Sequence, residues 1–419
     1  MNQARKRVVI TGIGVVTPVG VGMEQTWTAL IAGRSGGGPI THFEATEDYP
    51  TRIACEVKDF DASGVLDAKE ARRYDRFAQF ALVATQEAMG NAGLEGPPPG
   101  TDPSRFGVIY GSGIGGIQTF EEQCRTLIER GPKRVSPFFV PMFIPDIAAG
   151  LISIRWGLKG TNYATVSACA SSAHAIGEAT RTIQRGDADA MVAGGTEATI
   201  TPLTIAGFAA MKAMSTRNDD PTTASRPFCG ERDGFVIGEG AGTVVLESLE
   251  HAEARGAQVL AEIVGYGASA DAYHITSPAP EHAGAQVAMS GALKDAQLSP
   301  EDVDYINAHG TSTQLNDARE TEAIKAVFGE HAYRLVASST KSMTGHLLGA
   351  AGGLEAAVCV QVCRTGIVPP TINCTSRDPE CDLDYAHGGA IERDVRVVLS
   401  NSFGFGGHNV CLALRRWDA

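Results

Sequence analysis

Aromatic residues make up only 6% of the 419-residue chain. No apolar run reaches about 18 residues, so a membrane-spanning helix is not expected. Positive charge is also in deficit: 35 Lys and Arg stand against 48 Asp and Glu, a formal charge of −13. That balance disfavours binding to a phosphate backbone as the main activity. The nine cysteines are odd in number and include no CxxC pair. Neither a disulfide framework nor a zinc site is indicated, and a reducing cytoplasm is the expected compartment. The opening MNQARKRVVITGIGVVTPVG has basic residues before an apolar run, as a secretory signal does. It has no small-x-small cleavage site after it, and its β-branched residues, glycines and Pro18 read as a first core strand and turn.

Glycine is in excess, with 49 residues, but it has no collagen period. It marks tight turns where backbone approaches backbone or ligand. Short β-rich runs alternate with Ala-rich helical stretches along the chain, which predicts an α/β architecture with buried strands. Strands are expected at Arg7 to Ile13, Phe106 to Tyr110, Ala190 to Ala193, Gly242 to Leu249, Asp304 to Ala308, Leu335 to Ser338 and Val395 to Leu399. A helix is expected to start at Asp67. Asp67 and Glu70 form a capping-box pattern, and Ala71, Tyr74, Phe77, Ala78, Ala81 and Leu82 follow at helical spacing. Gly96 to Gly100 and Asn218 to Pro221 carry turn chemistry. An internal echo links Thr165 to Gly177 with Ser338 to Gly349: each reads as strand, tight turn and small-residue helix. It predicts two related halves, residues 1–255 and 256–419, fused around one site.

Gly111-Ser112-Gly113-Ile114-Gly115-Gly116 satisfies GxGxxG, but no acidic residue ends a second strand about 20 residues on, so a turn or channel wall is preferred to a dinucleotide site. Cys169 stands where a strand gives way to a helix of small residues. A helix N-terminus there would favour the thiolate. Alone, such a cysteine is usually a small buried hydrophobe. His309, in NAHGTST, and His346, in KSMTGH, both lie at glycine-containing turns. The other eight histidines sit in ordinary contexts, with His174 and His408 as supporting candidates. Cys359 and Cys363 share a helix face and read as core. A thiol, two imidazoles and Lys341 at strand-to-turn junctions suit thioester chemistry, in which imidazoles donate to an enolate oxygen. A cysteine protease would leave the second histidine and the lysine unexplained.

On these residues the chain resembles the β-ketoacyl-acyl carrier protein synthases, the elongating type I/II condensing enzymes of the thiolase superfamily. The likeness runs through VVITGIGVVTPVG at 8, GSGIGG at 111, SPFFVPMFIPD at 136, the Cys169 turn, AGGTEA at 193, SRPF at 225 and DGFVIGEGAG at 233. It continues through NAHGTST at 307, SSTKSMTGHLLGAAG at 338, PPTIN at 369 and NSFGFGGHN at 401. His346 separates it from initiating synthases, which resemble it but carry Asn in that role, and from thiolases, which use a second Cys.

The resemblance implies a thiolase-like fold of two pseudo-duplicated halves in α-β-α-β-α layers. It implies an acyltransferase of fatty acid biosynthesis in which Cys169 carries the acyl chain while His309 and His346 stabilise the enolate of decarboxylated malonyl-carrier protein. Lys341 would organise the field, paired with Glu320. The amides of Cys169 and Phe405 would form an oxyanion hole, and Phe403 and Phe405 a mobile gate. Ile114, Phe139 and Phe208 would line the acyl pocket, with residues near Phe139 reaching toward a dimer partner's pocket. Thr311 and Thr313 would meet the phosphopantetheine arm, which the carrier protein supplies in place of any bound cofactor. Lys69, Arg72, Arg73, Lys133, Arg134 and Lys212 would dock the acidic acyl carrier protein, and Asn307, Glu355, Ser400 and Asn401 match a monovalent-cation site. His408, where many relatives have Thr, is a departure beside the gate. A polyketide ketosynthase shares all these residues, and a non-catalytic chain-length subunit is disfavoured by the intact Cys169, His309 and His346.

Overall fold

Val8–Thr17 is a strand of ten residues, every one buried. Such a continuous apolar run suits a strand covered on both faces. In the computed structural model, which describes residues 5–418, it is β1. β2 (Phe106–Gly111), β3 (Asn162–Tyr163), β4 (Ala190–Glu197) and β5 (Gly240–Ser248) follow. β6 (Ala261–Ala270), β7 (Tyr305–Asn307), β8 (Val336–Ser338), β9 (Val397–Gly404) and β10 (His408–Arg416) complete the set.

The strand order across the sheet is β3-β2-β4-β5-β1-β6-β10-β9-β7-β8, with Gly20–Val21 paired beside β1. Outward from the centre the same order occurs twice, 1-5-4-2-3 and 6-10-9-7-8. The senses repeat too: in each arm the first two pairings are antiparallel and the last two parallel. The arms join only where Val8–Ile10 runs antiparallel to Ala261–Ile263.

Helix α1 (Arg76–Asn91) covers β1 and β5 from outside. After α2 (Ser171–Gln184) comes α3 (Ala283–Ala296), which covers β6 and β10 in the same way. α4 (Gln314–Phe328) packs on α3, and α5 (Ala351–Thr365) lies against α2. Because α2 and α5 touch each other and sheet strands of both arms, the layers run α-β-α-β-α. α5 is buried from Ala351 to Val360 and again at Val362 and Cys363. Each of its large apolar side chains contributes about 1.5–3 kcal/mol by burial. Small residues set how closely it seats. A Cβ on Gly242 of β5 would lie 2.1 Å from the Leu354 nitrogen, and one on Gly353 would lie 2.4 Å from the Gly242 oxygen.

All seven expected strands form, most of them longer than expected. Of the ten numbered strands, three more, β3, β6 and β10, were not anticipated, nor were five further strands of two residues. The helix expected from Asp67 is broken in two. Its capping box forms, with Asp67 accepting from the Lys69 and Glu70 amides, but the helix stops after Ala71 and α1 restarts at Arg76. Asp75 causes the break. Its carboxylate caps Phe77 and also accepts from the Thr119 N–H at 2.9 Å and hydroxyl at 2.6 Å, tying this turn to the segment beyond β2.

Candidate active site

Past β3, the chain enters a single 3-10 turn, Ala168–Ala170, that leads into α2. Ala168 lies in the left-handed region at φ 49°, strained for a residue with a Cβ. Ser171 holds it there: its hydroxyl donates to the Ala168 carbonyl at 2.7 Å and accepts the Ser167 N–H at 2.9 Å. Ahead of α5 the turn Leu348–Ala350 repeats this geometry, with Leu348 at φ 47°. The echo is therefore one of backbone, but Gly349 occupies the position of Cys169. The reactive groups of the second half, Lys341 and His346, come from the stretch before it.

Glu197, the last residue of β4, explains the glycine loop after β2. It accepts from Ser112 Oγ (3.0 Å) and from the amides of Gly113 (2.7 Å), Ile114 (3.1 Å) and Gly349 (2.9 Å). The loop amides that a dinucleotide phosphate would need are taken by an internal carboxylate. The preferred reading of GSGIGG as a channel wall fits, since Gly113 and Ile114 line the main cavity.

That cavity holds roughly 520 Å³ and brings together Cys169, His309 and His346, with Thr311, Thr313, Phe403 and Phe405 on its walls. Ile114 and Phe208 line it as expected. Phe139 does not; it stacks on Phe143 at 5.7 Å and packs near Phe120, outside this chain's own cavity. The imidazoles of His309 and His346 meet edge to face at 5.4 Å. Phe403 abuts His309 at 5.6 Å and Phe235 abuts His346 at 5.6 Å. Thr311 and Thr313 share a hydrogen bond at 2.9 Å.

Burial, then the Lys341 charge, pushes both imidazoles well below the ordinary histidine range, so both are neutral. Cys169 does not carry the thiolate that its place before a helix suggests. It is 8% exposed, and burial pushes its thiol up to about 12 against the opposing pull of Lys341 and the Phe405 N–H. The amides of Phe405 and of Cys169 itself both favour the thiolate.

Lys341 was expected to pair with Glu320. It is instead buried in an ion pair with Glu355, on the first turns of α5. Glu320 faces the backbone, accepting the N–H groups of His309 and Gly310, each at 2.8 Å. Burial raises its carboxyl to about 7. Seven buried side-chain oxygens among the described residues have no hydrogen-bond partner, and four of them are Asn307 Oδ1, Glu355 Oε2, Ser400 Oγ and Asn401 Oδ1. Those four belong to the residues expected to hold a monovalent cation, and an all-oxygen donor set suits a hard ion.

Lys69, Arg72, Arg73, Lys133, Arg134 and Lys212 are all exposed. The Arg73 guanidinium lies 4.6 Å from the Phe138 ring centre, joining the segment of Lys69 to the one after Arg134, and Lys212 lies on the cavity wall. His408 meets His174 edge to face at 6.4 Å, and His174 Nδ1 lies 2.7 Å from Ser167 Oγ, beside the Cys169 turn. Two residues were missed. His282 lines the cavity against Phe403 at 4.7 Å, and no spacing pattern marks it. Glu197 stands in the AGGTEA motif, where an acid ending an apolar strand was the available signal.

Residues 5–252 match the family described as "Beta-ketoacyl synthase, N-terminal domain" and residues 260–375 its C-terminal domain. The chain is 54% identical over 417 residues to "3-oxoacyl-[acyl-carrier-protein] synthase 2" of Synechocystis sp., covering 100% of both. It is 54% identical over 414 residues to the same-named protein of Staphylococcus aureus, covering 99% of both. Among solved structures, a β-ketoacyl synthase from Burkholderia phymatum superposes with TM-score 0.92 at 40% identity, over 99% of this chain and 100% of that one. A type II PKS acyl-carrier protein in complex with its ketosynthase bound to the hexaketide gives TM-score 0.91 at 36% identity, with the same coverage. The chain belongs to the β-ketoacyl synthase family.

Proposed function

We propose that this protein is an elongating 3-oxoacyl-acyl carrier protein synthase of fatty acid biosynthesis, joining malonyl-carrier protein to an enzyme-bound acyl thioester with loss of carbon dioxide. The observation that carries this is the meeting of Cys169, His309 and His346 on one cavity, with the Lys341 charge acting on all three. The polyketide alternative rests on the weaker likeness, 36% identity against 54%.

In this reading Cys169 Sγ attacks the carbonyl of acyl-carrier protein. Its proton leaves with the departing pantetheine thiol, and the oxyanion accepts from the Cys169 and Phe405 amides. Malonyl-carrier protein then enters along Thr311 and Thr313. Loss of carbon dioxide leaves an enolate whose oxygen accepts hydrogen bonds from the two neutral imidazoles. A neutral imidazole donates without protonating the carbanion, so the carbon stays nucleophilic and attacks the acyl thioester, and Cys169 departs as the leaving group. Phe403 and Phe405 act as gate, with the turn Gly406-Gly407 (φ 87° and 75°) supplying the backbone freedom. A monovalent cation would be held by Asn307, Glu355, Ser400 and Asn401 and would supply a positive charge beside the Glu355 carboxylate.

The doubled strand order supports reading residues 1–255 and 256–419 as two halves. A homodimer is part of the proposal, as is docking of an acidic carrier protein on Lys69, Arg72, Arg73, Lys133, Arg134 and Lys212, and residence in the cytoplasm. No helix among the described residues is long and apolar enough to cross a membrane. Purified protein supplied with malonyl- and acyl-carrier protein should release 3-oxoacyl-carrier protein two carbons longer. Failure with every primer length overturns the assignment.

A further inference from the structure

Away from the cavity, two thiols meet where two loops cross. Cys229 follows Phe228, whose backbone is in the left-handed region at φ 62°. Asp317 accepts the Phe228 N–H at 2.8 Å, and the Phe228 ring stacks on Tyr385 at 3.8 Å. This fixed turn sets Cys229 opposite Arg377 in a β-bridge, with the Gly230 N–H donating to the Ser376 carbonyl at 2.8 Å. Cys374, three residues before Arg377, returns to the same place. Both thiols donate to the one Ser376 carbonyl oxygen, Cys229 at 3.2 Å and Cys374 at 3.5 Å. Two sulfurs held on one acceptor have only a few ångströms to close to reach the ~2.05 Å bond length of a disulfide, a closure that draws the Cys229 turn toward Cys374. Cys229 is buried, while Cys374 is partly open to solvent.

We propose that Cys229 and Cys374 are an oxidative modification site, a dithiol that a small hydroperoxide converts to a reversible disulfide. The reachable Cys374 sulfur attacks the peroxide O–O bond, becoming a sulfenic acid and releasing an alcohol, or water from hydrogen peroxide. The Cys229 sulfur then attacks that sulfenic sulfur. The S–S bond forms, the S–O bond breaks, and the hydroxide leaves with the Cys229 proton as water. Two electrons pass from the two sulfurs to the peroxide, and a dithiol reductant returns two electrons and two protons. Cys229 is fitted to the resolving step. Burial opposes its ionisation, but hydrogen bonds from the backbone of Glu231, Ser376 and Thr375 and from Cys374 outweigh burial and lower it. The thiol of Cys374 is pushed up to about 11, by burial and by its Cys229 neighbour.

The pair is wired to the cavity through Arg232. Its guanidinium donates to the Cys229 carbonyl at 2.8 Å and to the carbonyls of Thr313 at 3.0 Å and Gln314 at 2.9 Å. Drawing Cys229 toward Cys374 therefore pulls on the loop that carries Thr311 and Thr313.

The test treats the reduced full chain, with Cys169→Ala to remove the cavity thiol, with hydrogen peroxide and then digests it with trypsin without reductant. The expected product joins peptides 218–232 and 365–377, which hold Cys229 and Cys374 singly. Intact mass falls by the two thiol hydrogens, and dithiothreitol reverses the change. Cys374→Ser, at the partly open position, should abolish the cross-link, as should Cys229→Ser. Stepwise oxygen addition on Cys374 without a cross-link overturns the proposal, as does a cross-link through Cys381 instead. These mass readouts do not depend on the reaction assigned to the cavity. In the chain with Cys169 intact, the disulfide should raise KM for carrier-bound substrate several-fold with kcat held; an unchanged KM overturns the coupling through Arg232.

Discussion

At Cys169 two effects oppose each other, and burial wins. The sulfur sits before α2 with two amides and the Lys341 charge favouring the thiolate, yet loss of water outweighs them. In the proposed reaction, attack therefore begins from a protonated thiol. Because the thiol is pushed up to about 12, the thiolate fraction grows with pH throughout the working range. Inactivation by iodoacetamide should accelerate about tenfold per pH unit from pH 6 to 9; a plateau near pH 7 would show a thiolate already formed. Lys341→Met should slow the alkylation further. By stranding Glu355 it should also cost about 3–5 kcal/mol in denaturant unfolding; a loss below about 1 kcal/mol would show that the buried pair is not coupled. That Cys169, His309 and His346 meet on one cavity was legible where reactive side chains recur at turns. The lysine's partner was not. Glu320 and Glu355 are both buried acids, and only the fold decides that Glu320 serves the backbone of His309 while Glu355 reaches Lys341.

Among elements, the seating of α5 on β5 is set by glycine. A side chain on Gly353 would enter the Gly242 backbone, which cannot rotate away. Gly353→Val should therefore cost about 3 kcal/mol or more, read as a fall in the denaturation midpoint. A variant of unchanged midpoint would show that α5 has room to shift. Elements with a clear period or an uninterrupted β-branched run were legible. β6, AEIVGYGASA, and β10, HNVCLALRR, were not. Glycine and alanine dilute the pattern in the first, and the turn of Phe405, Gly406 and Gly407 masks the start of the second. The helix expected from Asp67 breaks because Asp75 is recruited by Thr119, 44 residues away, a contact no local pattern records.

For the whole molecule, a charge of −13 sets a problem for any acidic partner. Attraction has to come from a local patch, and the exposed cations from Lys69 to Arg134 are the candidates. Steering by such a patch is screened within about 10 Å at 0.1 M salt. Raising salt should thus raise KM for carrier-bound substrates and leave kcat nearly constant, and Arg73→Glu should reproduce the effect at low salt. A salt-independent KM would remove this docking surface. The two-fold repeat was legible as an echo between turns, whereas the way the arms join through only three residues on each side was not.

The most direct measurement of the central claim separates the two carbon steps in a Cys169→Gln variant supplied with malonyl-carrier protein. Carbon dioxide release is expected to persist, since His309 and His346 remain. Formation of 3-oxoacyl product is expected to vanish, because no sulfur holds the acyl chain. Adding His309→Ala or His346→Ala should then lower the carbon dioxide rate by about 10²–10³. Continued condensation without Cys169, or decarboxylation indifferent to both histidines, would contradict the assignment.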